Sequence, residues 1–480
     1  MMIALMASLQ LDSTVAVLCL VFLVSCIFLV ARSRKDGARG SPPPSPPALP
    51  VIGNLHELGR GRHHRRLQAL ARSYGPLFLL RLGSVPTVVV SSPSLAEAVL
   101  KTQDHAFCSR PQPRTAHGTL YGCHDMAFSP YGERWRQLRR IAVLHLLSAK
   151  RVDSFRSLRQ QEVMGFVERI RAGAREGAVN VTELVISLTN TVISKAAFGN
   201  RLGGVEPGVW VDWATGLDAR ISRTAAELDS VIEKTLTEHE GSRANDGEVH
   251  DLLDGLLSIV KDGDQGFRMD RIDVKALILD MFIGGTDTIY KAIEWTMAEL
   301  VKNPREMEKV QAEVRQVAAG TQGGVLEEEL EKMSLLHAAM KEALRLHPPI
   351  PLFPHESIQN TRLHGYDIPA KTRIMINAWT IGRDSESWEE ADEFRPERFM
   401  DRAMDYSGKD PRFIPFGAGR RGCPGIAFAL RLAELTLANM MYHFDWVLPD
   451  GQDPESFEVV ESNGFAPALK CPLILVAKPL

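Results

Sequence analysis

Cys423 is the side chain with the most chemistry arranged around it. It stands in FGAGRRGCPG (416–425), behind Gly417, Gly419 and Gly422 and ahead of Pro424, Gly425 and a long apolar run. From Ile426 to Tyr442 that run keeps Leu430, Leu437 and Met441 near one face, which predicts a buried helix. Pro424 suits a first helical turn, so Cys423 is expected at the helix N-terminus, where the dipole and free N–H groups favour a negative sulfur. A thiolate held this way is a nucleophile or a metal ligand. A nucleophile wants a general base, and no histidine is close in sequence, although one distant in the chain can be close in space. A Gly-rich loop suits a partner wider than an ion, because backbone can lie against a flat macrocycle while N–H groups hydrogen-bond the sulfur. Thiolate-ligated haem is the leading reading. A buried structural cysteine is the bland one.

Three further groupings carry chemistry. Gly284-Gly285-Thr286-Asp287-Thr288 falls in the middle of a predicted helix over 273–303. Two glycines cost a helix interior roughly 1 kcal/mol each. The expected return is a groove where a ligand or O2 lies against the backbone, with an acid and an alcohol beside it to relay protons. Glu342 and Arg345, in KEALRLHPP, share a helix face at i and i+3. Trp135 and Arg139, in ERWRQLRR, are at i and i+4, with Arg136 and Arg140 forming a second basic row.

Phe416, Gly419, Arg421, Cys423 and Gly425 meet the pattern F-x-x-G-x-R-x-C-x-G in full, and the loop is similar to the haem-binding loop of the cytochrome P-450 haem-thiolate monooxygenases. The resemblance runs from about residue 41 to the C-terminus. NAWTIGRD (377–384), the cysteine loop and NGF (463–465) look like the plant microsomal branch. It implies haem b (iron protoporphyrin IX) with Cys423 as the iron ligand, whose electron donation favours O–O cleavage. Asp287 and Thr288 resemble the oxygen-activation acid and alcohol, although Ile289 follows where the family usually has Ser or Thr. Arg398, in FRPERF (394–399), resembles the third member of a Glu342–Arg345–Arg398 structural triad. Trp135, Arg139, His355 (in PLFPHES) and Arg421 match residues that hold the haem propionates. The implied partners are O2, an apolar small-molecule substrate and an NADPH-dependent reductase, for which Arg136, Arg140 and Lys150 offer a basic face. Pocket residues are expected near 119–126, 283–288, 350–353 and 464–466.

These groups need a large frame, and the chain has one. Its 480 residues, 45% of them hydrophobic, can bury a sizeable core. A net charge of −3 argues against a nucleic-acid binder. The six cysteines show no paired spacing, which fits a reducing compartment. Residues 13–31 (STVAVLCLVFLVSCIFLVA) carry no charge, follow Asp12 and precede Arg32, Arg34 and Lys35. That pattern predicts a single-pass anchor of the endoplasmic reticulum membrane with everything after it cytosolic. The expected organisation is an anchor over 1–32, a basic and proline-rich hinge over 33–50, and a haem-thiolate catalytic domain over 51–480.

Within that domain, residues 76–91 read as a hairpin and TRIMIN (372–377) as a strand. Asn303, Pro304 and Glu306 read as the cap of a new helix. The basic cluster at Arg60, Arg62, His63, His64, Arg65 and Arg66 reads as a solvated face, with contact to anionic headgroups as the alternative. Otherwise the pattern is mainly α with small sheets. After AAFGN (196–200) the chain soon reaches WVDWATGLDARI (210–221), where the family carries a longer helix–loop–helix lid. Two rival functions follow from the same motifs. One is an isomerase or dehydratase acting on a peroxide. The other is a haem-binding protein whose activity is lost or altered with the shortened lid.

Overall fold

The computed structural model describes residues 41–59, 61–199, 218–246, 251–262, 267–321, 323–400 and 404–480. The expected anchor, the first part of the hinge and the shortened stretch after Asn200 lie outside the described residues. Among the described residues no helix is long and apolar enough to cross a membrane.

The elements that bear on function are, in chain order, α1 (His63–Tyr74), β1 (Leu77–Leu82), β2 (Val85–Val90), α2 (Glu133–Ile141), α3 (Arg156–Ala174), α4 (Val181–Phe198), α5 (Arg271–Lys302), β3 (Leu352–Glu356) and β4 (Arg373–Asn377), with α6 (Ser334–Leu346) before β3 and α7 (Ile426–His443) after β4. Helix α5 starts where Asp270 accepts the Asp273 N–H at 2.8 Å and Asp273 accepts the Asp270 N–H at 3.1 Å, a complete capping box. Its 32 residues run through the main core, flanked by α4, α6 and α7. Buried apolar residues of all four form that core, among them Val192, Ile293, Met340 and Leu437.

The hairpin and the TRIMIN strand join one four-stranded sheet in the order β1-β2-β4-β3, with β2 and β4 parallel and the other pairs antiparallel. Strand alternation sends Phe78, Leu80 and Val89 to one face, against Leu67 of α1. Val88, Val90, Ile374 and Ile376 face a second core. The hairpin closes over Gly83–Ser84 between Leu82 and Val85, tighter than the Gly83–Pro86 turn expected.

Three local expectations need refinement. The basic cluster is a solvated face at Arg62, His63 and Arg66, which are exposed, but not at His64 and Arg65. His64 is buried and meets Glu461 Oε2 at 2.9 Å, while Arg65 Nε donates to the same oxygen at 2.8 Å. Asn303 is the N-cap residue and Pro304 opens the next helix, as expected, but no side-chain capping bond forms: the Asn303 amide donates back to Glu299 O at 2.8 Å. The described part of the proline-rich hinge is non-helical and is held against the sheets. Pro44 O accepts the Leu79 N–H of β1 at 2.7 Å, and Ser41 O accepts the Asp367 N–H at 3.1 Å. Among the described residues, cysteines 108, 123, 423 and 471 are all unpaired thiols.

Candidate functional site

Helix α7 begins at Ile426, where the apolar run starts, with Gly425 as its cap, so Cys423 lies two residues before the cap and Pro424 lies outside the first turn. The Gly425 N–H points at Cys423 Sγ at 3.3 Å, and the Cys423 N–H donates to Phe416 O at 2.9 Å. These two bonds close the loop around the sulfur. Burial pushes the Cys423 thiol up, opposed by the Gly425 N–H and by the charge of Arg139. A metal bound there would compete with the proton for the sulfur. Glycine has two uses in the loop. Gly419 adopts φ +65°, and a Cβ there would lie 1.9 Å from Leu100 O, so it is required for packing against the neighbouring chain rather than for an open face. Gly417, Gly422 and Gly425 border a cavity.

That cavity has a volume of about 330 Å³. Cys423 and Phe416 form part of one side and Gly284, Gly285 and Thr288 of α5 another, with Ile193, Ile289, Ile350, Phe353 and Phe465 adding apolar surface. The exposure of Cys423 is to this enclosed space. Each expected pocket segment contributes to it: Met126, the α5 residues, Ile350 with Phe353, and Phe465. The paired glycines differ. A Cβ on Gly284 would meet nothing within 4 Å, whereas one on Gly285 would come within 2.6 Å of Ile193 Cδ1. Gly284 opens the groove. Gly285 lets α4 approach. Thr288 Oγ1 donates to Gly284 O at 2.6 Å, and Asp287 pairs with Lys291 Nζ at 2.6 Å. Lys291 is buried, and burial lowers its pKa against the pull of Asp287.

The edge of the cavity is basic. Arg110, Arg139, His355 and Arg421 all line it. Arg139 donates to Gly422 O at 2.6 Å. Arg421 donates to the carbonyls of Cys108 (2.6 Å), Met126 (3.2 Å) and Ser129 (2.6 Å), and burial with the charge of Arg110 pushes it down to about 9. Trp135 is buried beneath Arg421, whose guanidinium lies 4.0 Å from the ring centroid, and the indole N–H donates to Met126 O at 3.0 Å. Trp135 is not part of the cavity wall. His355 Nδ1 meets Phe107 O at 3.0 Å, and burial, then Arg110, hold its pKa well below the usual imidazole value. Arg110, which the sequence reading missed, is half-buried at the cavity edge and pushed down to about 10 by desolvation and Arg139. One donor reaches Pro354 O, and its Nε has no partner among the described residues. A single arginine in SRPQP carries no spacing signal, so only the fold reveals it.

Below this, Glu342 and Arg345 form a bidentate pair at 2.7 Å for each contact, fully buried. Arg398 Nε reaches Glu342 Oε1 at 3.1 Å, and Arg345 also binds the carbonyls of Gly382, Ala391 and Glu393. The three residues are thus brought together and their remaining donors satisfied. On the outer face of α2, Arg136 is exposed and paired with Glu133. One further pair was missed. Asp280 of α5 and Asp125 in the loop before α2 both receive N–H groups from residues 126–128.

Enclosed space, a lone thiol and uncompensated guanidiniums fit a flat, iron-bearing macrocycle with carboxylate arms. The orphaned Arg110 Nε and the Gly-bordered wall are the features that a smaller group would leave unexplained. Comparison with known proteins agrees. The family model described as Cytochrome P450 matches residues 43–209 and 205–466, its two pieces meeting where the lid was read as shortened. Cytochrome P450 71A25 of Arabidopsis thaliana is 41% identical, over 96% of this chain and 99% of that protein. Cytochrome P450 71A1 of Persea americana is 46% identical, over 89% and 91%. Among solved structures, a zebra fish cytochrome P450 with abiraterone superposes with a TM-score of 0.75 at 26% identity, covering 87% of this chain and 99% of that one.

Proposed function

The chain belongs to the cytochrome P450 family, and from that membership we propose that it is a membrane-anchored monooxygenase of the plant microsomal kind. It would insert one oxygen atom of O2 into an apolar small molecule with electrons from NADPH delivered by a reductase. Members of the family are haem-thiolate monooxygenases and bind iron protoporphyrin IX. The charge-free stretch 13–31 supports an anchor in the endoplasmic reticulum membrane, with the catalytic domain cytosolic.

Bound haem supplies activation of O2 and transfer of oxygen. The protein supplies the rest. Cys423 is the iron ligand in this reading, with the Gly425 N–H on the sulfur to moderate its donation. Arg110, Arg139, Arg421 and His355 would hold the propionates, and Trp135 stacks beneath Arg421 to fix its plane. Thr288 would hold or pass a proton at its Oγ1 on the cavity wall, and Asp287 would hold one in exchange with its partner Lys291. Glu342, Arg345 and Arg398 hold the strand-poor segment ahead of the cysteine loop in place. The apolar walls exclude water and orient the substrate. The carrying observation is the placement of Cys423 and Thr288 on walls of one cavity with four basic groups at its edge.

The test is the carbon monoxide difference spectrum of the dithionite-reduced protein, with wild type beside Cys423→Ala. A strongly red-shifted Soret band in wild type that is absent in the variant supports the assignment. A wild-type band of the histidine-ligated kind would overturn it. The break in the family match at 205–209 favours a second reading, a haem-binding protein with lost or altered activity. A normal carbon monoxide band with no turnover for any substrate that shifts the Soret band would select it.

A further inference from the structure

Behind the cavity lies an acid that the mechanism leaves unused. Ala433 of α7, Met340 of α6 and Phe416 of the cysteine loop all line the cavity. The next residue on each helix is charged: Glu434 follows Ala433, and Lys341 follows Met340. Tyr406 packs edge-on against Phe416 with 5.7 Å between ring centroids, and Lys341 Nζ stands 5.6 Å from the Tyr406 centroid. Glu434 is eight residues beyond Ile426, about 12 Å along the helix that follows the thiol. The cluster therefore sits directly behind the cavity wall.

Glu434 is enclosed without being satisfied. Its side chain is 11% exposed, and among the described residues no hydrogen bond reaches its carboxyl. The closest basic atom among them is His337 Nε2 at 3.7 Å, which has no hydrogen-bond partner either. The buried Tyr406 hydroxyl is likewise unpartnered among the described residues. Burial pushes the Glu434 carboxyl up to about 7, opposed by Arg431 on its own helix and Lys341 on α6, and aided by Glu327. Glu327 is itself paired with Arg159 of α3 at 2.5 and 2.8 Å. Burial and Lys341 push His337 down, with Glu313 and Glu331 acting against them. Burial also lowers Lys341, against the charges of Glu434 and Asp405. An acid kept for structure alone would be hydrogen-bonded, or could give way to a hydrocarbon at little loss. An unbonded acid poised near neutrality is suited to changing its charge.

Resting on the haem-thiolate reading of the cavity, we propose that Glu434 takes up a proton when an electron reaches the iron and releases it on reoxidation. The electron comes from the NADPH-dependent reductase. The proton comes from solvent past His337, whose side chain is 27% exposed, and forms the carboxyl O–H bond. One negative charge arrives in the cavity and one is removed behind its wall, so the net charge of the region is unchanged. Glu434 meets neither substrate nor oxygen. As a positioning residue it sets the field in which the iron accepts its electron.

The experiment titrates the ferric–ferrous midpoint potential of the haem-loaded full chain against pH by spectroelectrochemistry. Charges about 12 Å apart at an effective dielectric near 20 alter proton affinity by about tenfold. A three- to tenfold change corresponds to about 28–59 mV for one electron. The wild-type potential should fall by that amount as pH rises through about 7, and be level on either side. Glu434→Gln, a neutral isostere, should hold the wild type's low-pH value throughout. Reduced-minus-oxidised infrared spectra slightly above neutral pH should show a protonated carboxyl band in wild type that the variant lacks. A level wild-type potential would overturn the proposal, as would a step that survives in Glu434→Gln, which assigns the proton to another group. Should Glu434→Gln fail to hold haem, Lys341→Met decides: losing that cation should move the step to higher pH, and an unmoved step overturns the proposal. A carbon monoxide band of the histidine-ligated kind in wild type fails the haem-thiolate reading instead, and the step in potential still decides for Glu434.

Discussion

The Thr288 hydroxyl, on the cavity wall, bonds a carbonyl one turn back in its own helix. That bond holds the oxygen in a fixed direction, ready to accept or pass a proton. Thr288→Ala should therefore lower product formed per NADPH consumed by about tenfold or more, with the carbon monoxide band unchanged. Parallel assays of NADPH, product and peroxide check it. Arg110 makes a second case. In the haem-free chain it is a desolvated cation close to Arg139 and Arg421. Arg110→Gln should leave the thermal midpoint of the haem-free chain unchanged or higher, yet speed haem loss at least about tenfold. Haem transfer to an excess acceptor globin measures the rate. The cysteine loop was legible in sequence because five side chains at fixed spacing act together. Arg110 was not, since its role comes from three separate segments meeting.

Two neighbouring glycines on α5 separate helix propensity from packing. Gly284→Ala adds a methyl group to open space and removes a helix-interior glycine, so stability should rise by roughly 1 kcal/mol. The same methyl narrows the groove and should weaken the Soret response to substrate. Gly285→Ala drives a carbon to within 2.6 Å of Ile193 Cδ1 and must displace it. It should be less stable than Gly284→Ala by about 1–3 kcal/mol. Denaturant titrations of both variants give the difference. Sequence periodicity predicted α5 and α7 to within a few residues, because a long apolar face next to polar caps leaves one solution. The division of labour between the glycines needed α4 in place. The same holds for Asn303, whose amide turns back to the Glu299 carbonyl of α5 instead of offering its oxygen to the first N–H groups of the next helix.

At the scale of the whole molecule, Glu461 ties the two ends of the described chain together. It receives His64 and Arg65 from α1 and the indole N–H of Trp379 at 3.1 Å. Burial alone would push its carboxyl up, but the nearby His347, with Nδ1 3.9 Å from Oε1, and the contacts of His64 and Arg65 outweigh it and hold the group far below the usual range. An acid with a depressed folded-state pKa contributes stability above its unfolded value, near 4.3, and loses it as pH falls toward the folded value. Glu461→Gln should accordingly cost roughly 3–5 kcal/mol at pH 7, and the gap to wild type should narrow below about pH 4. Urea midpoints at the two pH values test both statements. None of this was legible beforehand. The cluster at 62–66 reads as surface charge until a glutamate some four hundred residues later is folded onto it.

The proline-rich arm has a consequence for how the protein behaves in a test tube. Strand β1 is the open margin of its sheet, and the arm lies along it with Pro44 O on the Leu79 N–H. Proline accepts but has no N–H to offer, so a strand ending in such an arm cannot recruit another chain. Residues 41–50 act as a stopper against intermolecular ladder growth. Recombinant chains trimmed before Ser41 should remain monodisperse, whereas those trimmed after Pro50 should form fibrillar or amorphous aggregates, as light scattering would show.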